Sequence, residues 1–401
     1  MKICIISEGK VPPDSRTPLT PKQCESLRGS GIDITMQSSG QRCYSDDEYA
    51  TLGIPVKDHC ENADIILGVK EVPVENLMAE KTYFMFSHTI KKQPYNRELL
   101  QAILEKKIRL IDYEVLTDEK GNRVIAFGHF AGMVGAHNGI WTYGQRTGLF
   151  ELPRMQQFTD YAEARSYYKT LKLPPVRIVL TGKGRVAGGA TLVLGDMGIR
   201  QIPPDAFLHE NHEFPVFTQI GPLEYARMKN GDDFTLQEFF TSPQNFDSDF
   251  APYSEKADIF INGIYWDPEA PAFFTKEDMT SKDFKIKVIA DITCDIAPES
   301  SVPSTLRATT IADPVFGYDP AHNIETSPYS AESIDVMSID NLPNELPRDA
   351  SRAFGEQFIE FILPELKHLD SSKLLKRGTI AKDGRLTEAF SYLQDYVEGK
   401  E

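Results

Sequence analysis

The segment from residue 176 to residue 194 constrains the fold of this chain more than any other. Val176-Arg-Ile-Val-Leu-Thr181 is an apolar run of the fully buried strand type. Gly182-Lys-Gly-Arg-Val-Ala-Gly-Gly-Ala190 follows at once, and a helical pattern runs on through residue 194. A buried strand, a tight glycine turn and a helix in that order specify a parallel α/β sheet, and they form a dinucleotide site when certain roles are filled. Gly182 permits the sharp turn and Gly184 lets the backbone approach a pyrophosphate. Ala187, in the third small-residue place, keeps the helix close to the strand, and N–H groups at the helix start face the phosphates. An acidic residue about 20 positions further on should meet the ribose hydroxyls, and Asp205 stands there. That choice favours NAD. Pro203 and Pro204 just before it, and Arg200 nearby as a partner for a 2′-phosphate, keep NADP open.

The chain has 401 residues, more than one ordinary core can organise, so two domains are expected. The first 130 residues alternate apolar runs with helical patterns. Residues 3–6, 32–37, 65–69, 82–86 and 108–112 read as strands, and residues 20–28 and 97–106 as helices. A small-residue segment, Gly128-His-Phe-Ala-Gly-Met-Val-Gly-Ala-His-Asn-Gly139, opens a long helix that leads into the second domain. Further buried strands are expected at 259–261 and 286–290. Residues 228–254 lack periodicity and read as a surface insertion. Near the end, Ala350, Phe354, Phe358, Phe361 and Ile362 make an apolar stripe at helical spacing, suited to packing back on the first domain. The last residues read as a solvated helix and tail.

The expected architecture is therefore α/β, with two Rossmann-like domains and an active-site cleft between them. Residues 1–130 plus 341–401 form the substrate domain, and residues 131–340 bind the dinucleotide. The net charge of −16 argues against a nucleic-acid partner, with room for a local basic pocket, and no apolar run reaches the about 20 residues of a bilayer span. A small-molecule substrate and a cytoplasmic address are expected; oligomeric state is not readable. Cys4, Cys24, Cys43, Cys60 and Cys294 are odd in number and share no metal-ligand spacing. They read as reduced, mostly buried thiols, with no metal site and no disulfide framework.

Polar residues follow apolar strands at several places in the first domain. Lys70 follows Ile65-Ile-Leu-Gly-Val69, and His88 follows Phe84-Met-Phe-Ser87. In an open α/β sheet the carboxyl ends of the strands line the ligand crevice. A lysine desolvated beside other cations loses basicity and suits a general base, and histidine is the usual acid–base partner. Arg16, Lys91 and Arg123 add positive charge fitted to carboxylates. Each residue alone is more often a solvated or structural side chain; their joint placement after consecutive strands carries the reading.

Gly68-Val-Lys-Glu-Val-Pro73, Phe86-Ser-His-Thr-Ile-Lys-Lys-Gln93, Arg123-Val-Ile-Ala-Phe-Gly128 and the glycine turn resemble the alanine dehydrogenase and transhydrogenase superfamily. Ile339-Asp-Asn-Leu-Pro-Asn-Glu-Leu-Pro-Arg-Asp-Ala-Ser351 draws the likeness toward its lysine-forming saccharopine dehydrogenase (lysine–ketoglutarate reductase) branch. The likeness covers nearly the whole chain. It implies that Lys70 is the general base and His88 the acid. It also implies that Arg16, Gln93, Arg123 and Phe127 hold saccharopine, with Lys91 three places after the histidine. Gly184 and Arg185 match the cofactor turn, and Asp291 an acidic residue near the nicotinamide. The implied reaction is hydride transfer from a secondary amine to NAD(P)⁺, followed by imine hydrolysis to lysine and 2-oxoglutarate, or the reverse. An alanine dehydrogenase-type activity and a catalytically silent dinucleotide sensor are the alternatives.

Overall fold

The computed structural model describes residues 1–400. The chain divides into two compact units, one of Met1–Phe127 with Pro347–Glu401 and one of Gly128–Leu346.

In the first unit the chain lays down strands β1 (Lys2–Ile5), β2 (Asp33–Gln37), β3 (Val56–Lys57), β4 (Ile65–Leu67), β5 (Thr82–Met85) and β6 (Arg109–Asp112). Helix α1 (Pro21–Gly29) follows β1, and α2 (Arg97–Glu105) lies between β5 and β6. The start of α1 is set by Thr20 and Gln23, which cap each other's backbone in a capping box, with Pro21 in the first turn. Strands β4 and β5 are buried along their whole length, as strands covered on both faces must be.

The second unit opens with α3 (Gly128–Thr147), the small-residue helix. Then come β7 (Arg177–Thr181), α4 (Arg185–Asp196), β8 (Arg200–Gln201), α5 (Pro204–His209) and β9 (Val216–Ile220). A hairpin of β10 (Ala226–Met228) and β11 (Phe246–Ser248) follows, with α6 (Leu236–Thr241) between its strands. The sheet is completed by β12 (Ile259–Asn262), β13 (Val288–Asp291), β14 (Phe316–Asp319), β15 (Ile324–Thr326) and β16 (Ile334–Met337). Its order is β15-β14-β16-β13-β12-β7-β9-β8, with β14 alone running against the others, antiparallel to both its neighbours β16 and β15. The glycines of α3 and α4 let these helices touch backbone to backbone. A Cβ on Gly132 would lie 1.8 Å from the Val186 carbonyl oxygen, and one on Gly189 would lie 1.9 Å from that of His129.

The chain then returns to the first unit through α7 (Pro347–Gln357), β17 (Thr379–Lys382) and β18 (Arg385–Leu386). The sheet order there is β18-β17-β6-β5-β4-β1-β2-β3, with β17 antiparallel to β6. Each unit is thus a Rossmann-like, mostly parallel α/β sheet. Among the described residues, no helix is long and apolar enough to cross a membrane.

Four expectations need correction. Residues 228–254 are not a structureless surface insertion, because Phe239, Phe246, Phe250 and Tyr253 from this stretch are buried in the core of the second unit. The last residues are not a solvated tail: they supply β17, and Leu393 and Tyr396 are fully buried. In the stripe that follows Pro347, Phe354, Phe358 and Ile362 are buried but Phe361 is 40% exposed. The helix changes to a π-helical turn at Phe358–Ile362, and the wider turn rotates Phe361 outward. Finally, Cys4 and Cys60 form a disulfide, while Cys24, Cys43 and Cys294 are free. The fold brings the two Cα atoms to 5.7 Å across a separation of 56 residues, a proximity that cysteine spacing does not reveal.

Candidate active site

In the first unit the reactive side chains emerge just past the carboxyl ends of β4, β5 and β6. Beyond β4, the Val69 and Lys70 amides donate to the two carboxylate oxygens of Glu8 at 2.6 and 2.8 Å. Burial lowers the pKa of the Lys70 amine to about 8, helped by the positive charges of Arg16 and Lys10. Its neighbour Glu71 behaves oppositely. Burial works against its ionisation, but the His88 hydrogen bond and nearby positive charge outweigh this and hold the carboxyl at about 2.

Beyond β5, His88 takes a left-handed backbone conformation, with φ of 53°. Its Nδ1 lies 3.2 Å from Glu71 Oε1. The turn carrying it is fixed from β6, where the Asp112 carboxylate accepts from the Ser87 amide at 2.9 Å and the Ser87 hydroxyl at 2.5 Å. Lys70 and His88 therefore leave neighbouring parallel strands on the same edge of the sheet.

The other predicted residues of this unit fall into two groups. Arg16 is 3% exposed, paired with Asp14 through Nε–Oδ1 and Nη2–Oδ2 contacts of 3.0 and 2.6 Å. Its guanidinium lies 4.2 Å from the centre of the Phe127 ring, which stacks in turn on Phe354. Arg16 and the partly buried Phe127 thus form one packed assembly. Lys91 and Arg123 are half-exposed and share Glu114, whose Oε1 lies 3.9 Å from Lys91 Nζ and 2.9 Å from Arg123 Nη2. Gln93 is exposed; its side chain accepts from the Tyr95 hydroxyl and its carbonyl from Tyr396. Glu71 Oε2 and Glu114 Oε2 are buried with no hydrogen-bond partner among the described residues. The region thus offers cations for carboxylates and vacant acceptors for an amine.

In the second unit the glycine turn has the form its sequence demands. Gly182 has φ of 97°, and a Cβ there would lie 2.6 Å from the Gly263 carbonyl oxygen. Gly184 is the N-cap of α4 and makes no side-chain cap, so the first N–H groups of the helix stay available. A Cβ on Gly184 would meet nothing within 4 Å, which leaves open space where a pyrophosphate must approach. Arg185, the first residue of α4, is exposed. The turn opens on a cleft of about 490 Å³ shared with Gly221, Phe239, Phe240 and Trp266, and the buried Trp266 Nε1 has no hydrogen-bond partner among the described residues. These features fit a dinucleotide.

Asp291 ends β13 fully buried, accepting from Asn262 (3.0 Å), Thr293 (2.7 Å) and Thr305 (2.7 Å). Burial raises its pKa despite these donors. Thr181, at the end of β7, donates to Asn262 at 3.0 Å, so one polar chain crosses the ends of β7, β12 and β13.

Asp205 is not brought to the glycine turn. It lies on the first turn of α5 with its side chain 92% exposed, beyond β8 at the sheet edge and two strands from β7. Pro203 and Pro204 start α5 directly after the two-residue β8, and the strand beside β7 is the next one, β9. Gln219, near the end of β9, donates to the Gly182 carbonyl at 2.8 Å and stands where an acid was expected. Arg200 is on the edge strand too, stacked over Phe214 at 4.1 Å.

Sequence reasoning attended to the cations and missed the carboxylates that position them: Glu8, Asp14, Glu71, Asp112 and Glu114. The signal was present for two of them. Glu71 directly follows Lys70, and Asp112 ends a buried strand as Lys70 and His88 nearly do.

Residues 4–134 match the family model "Alanine dehydrogenase/PNT, N-terminal domain". The mitochondrial alpha-aminoadipic semialdehyde synthase of Rattus norvegicus is 30% identical over 97% of this chain and 47% of its own length. The chain spans about half the length of the curated relatives of this kind. Saccharopine dehydrogenase [NAD(+), L-lysine-forming] of Emericella nidulans is 28% identical, covering 94% of this chain and 95% of that protein. A solved L-alanine dehydrogenase superposes with a TM-score of 0.67 at 16% identity, over 99% of this chain and all of that one. The transhydrogenase of Sinorhizobium meliloti gives 0.59 at 14% identity, over 96% and 99%. Over nearly its whole length the chain is similar to lysine-forming saccharopine dehydrogenases, on a fold it shares with alanine dehydrogenase and transhydrogenase.

Proposed function

We propose that this chain is a dehydrogenase of the secondary amine saccharopine, yielding lysine and 2-oxoglutarate, or the enzyme of the reverse condensation. The observation that carries the reading is the Lys70 amine, lowered to about 8 by burial and by Arg16 and Lys10, with His88, oriented by Glu71, following the neighbouring strand. Lys70 takes the proton of the substrate's secondary amine or, in the hydrolytic half, activates the water that attacks the imine. His88 protonates the departing lysine nitrogen.

Arg16, Lys91 and Arg123 supply the positive field that three substrate carboxylates require, with Gln93 and Phe127 completing the surface. The unpartnered oxygens of Glu71 and Glu114 suit its ammonium groups. A dinucleotide bound at Gly182, Gly184 and Arg185 supplies the hydride acceptor. NAD is our assignment, in line with the NAD(+) specificity in the name of the similar fungal saccharopine dehydrogenase. Asp291 orders the strand ends below the turn. Asp205 has no part in it.

The test is oxidation of NADH and of NADPH with lysine plus 2-oxoglutarate, and separately with pyruvate plus ammonia. Turnover with the first pair supports the proposal. Turnover with pyruvate and ammonia alone would replace it with an alanine dehydrogenase reading.

A further inference from the structure

Lys70 and His88 are both residues whose backbone lies outside a strand, so something must hold each turn in place. For His88 that is Asp112, through Ser87. For Lys70 the structure offers a different device. Glu8 lies just beyond β1, the strand adjacent to β4, and its two carboxylate oxygens receive the consecutive N–H groups of Val69 and Lys70 at 2.6 and 2.8 Å. Two convergent amides on one carboxylate fix both peptide planes, and hence the direction in which Lys70 leaves the backbone. A Cβ on Gly68 would lie 3.1 Å from Ile6 Cδ1 and 3.6 Å from Glu8 Oε1.

We propose that Glu8 is a positioning residue for Lys70, its carboxylate clamping the Val69 and Lys70 amides so that the lysine side chain leaves the backbone in one fixed direction. The inference rests on Lys70 being the base, but it concerns the backbone that carries the amine and does not require the substrate to be saccharopine. Three features support it. The clamp bonds are short, and the two amide donors favour the ionised carboxylate against the burial and the Asp14 charge that raise the Glu8 pKa to about 7. They satisfy amides that no strand partner takes, since Val69 and Lys70 lie past the end of β4. Glu8 also lines a cleft of about 480 Å³ with Ser7, His59 and Asn76, so its occupation with these amides is not forced by a lack of other space.

The test variant is Glu8→Gln, which keeps the shape but has only one acceptor oxygen, so an amide N–H must face another. The main readout needs no turnover: the pH dependence with which an amine-selective acylating reagent labels Lys70, followed by mass spectrometry of its peptide. We expect the apparent pKa of Lys70 to rise by at least one unit from its value in the parent chain as the freed turn lets the amine reach water. The kcat should fall tenfold or more while KM changes less than threefold. A folded variant with unaltered Lys70 labelling overturns the proposal. Should the variant not fold, hydrogen exchange in the parent chain decides. Val69 and Lys70 amides exchanging at least a hundredfold slower than free peptide support the clamp, and exchange at the free-peptide rate refutes it. Failure of the functional reading is distinguishable, because a parent chain inert toward saccharopine would leave both the labelling and the exchange results unchanged.

Discussion

The two units are built on similar sheets but place opposite kinds of chemistry at their strand ends. Beyond β4 and β5 and at the end of β6 in the first unit stand Lys70, Glu71, His88 and Asp112, with Glu8, Asp14 and Arg16 in the same unit. These are ionisable groups whose charge states depend on one another. At the ends of β7, β12 and β13 of the second unit stand Thr181, Gly182, Asn262 and Asp291, hydroxyl and amide groups closed around one carboxylate. The first arrangement moves protons. The second presents shape, backbone N–H groups and space. Changes in the first unit should therefore act on rate and pH profile, and changes in the second on nucleotide affinity and stability.

The largest expected effect breaks the first half of this contrast. Lys70→Met should lower kcat about 10³-fold, the scale of a lost general base, yet leave NADH affinity, followed by quenching of Trp266 fluorescence, within twofold. Full activity in this variant would remove the base. Next comes a test of stability in the first unit. Reducing Cys4–Cys60, which closes a separation of 56 residues, should cost about 4 kcal/mol by loop entropy and lower the melting transition without altering Trp266 quenching. Gly189→Val, in the second unit, forces a side chain onto the His129 carbonyl oxygen and should cost about 3 kcal/mol, read as a fall in Tm of several degrees.

Smaller effects sharpen the contrast. Gly184→Val meets no protein atom within 4 Å, so Tm should hold while the Kd for NADH rises about tenfold through exclusion of the pyrophosphate. An equal fall in Tm and affinity would mean that Gly184 is structural. Last is pH. A lysine with pKa near 8 is mostly cationic below that value and neutral above it. The kcat/KM for amine oxidation should thus rise nearly tenfold per unit up to about pH 8 and then level, while NADH affinity stays flat over the same range.

What was legible in the sequence follows the same division. The strand–glycine turn–helix of residues 176–194 could be read because each role there belongs to one residue type, and the structure gives Gly182 the positive φ that only glycine takes easily. Lys70 and His88 could be singled out because each follows an apolar strand. Asp205 misled because counting forward from the turn assumes that the next strand lies beside the first, and the two-residue β8 sits instead outside β9. The carboxylate partners escaped because Glu8 and Lys70 are separated by 62 positions and meet only once β1 and β4 pair. Phe239, Phe246 and Phe250 were masked by the Gly, Asp and Pro residues around them, which locally read as loop.

The return of the chain at Pro347 sets an order of events during synthesis on the ribosome. The second unit is one uninterrupted segment and has all its strands as soon as Leu346 has emerged. The first has β1 to β6 early but receives β17, the neighbour of β6, only after the whole second unit. Through the making of the whole second unit, β6 therefore stands as an open sheet edge, with Leu110 and Ile111 lacking the cover that the C-terminal residues bring. An edge in that state recruits other strands. A nascent or truncated chain ending before residue 379 should accordingly depend on chaperones more than the finished one does.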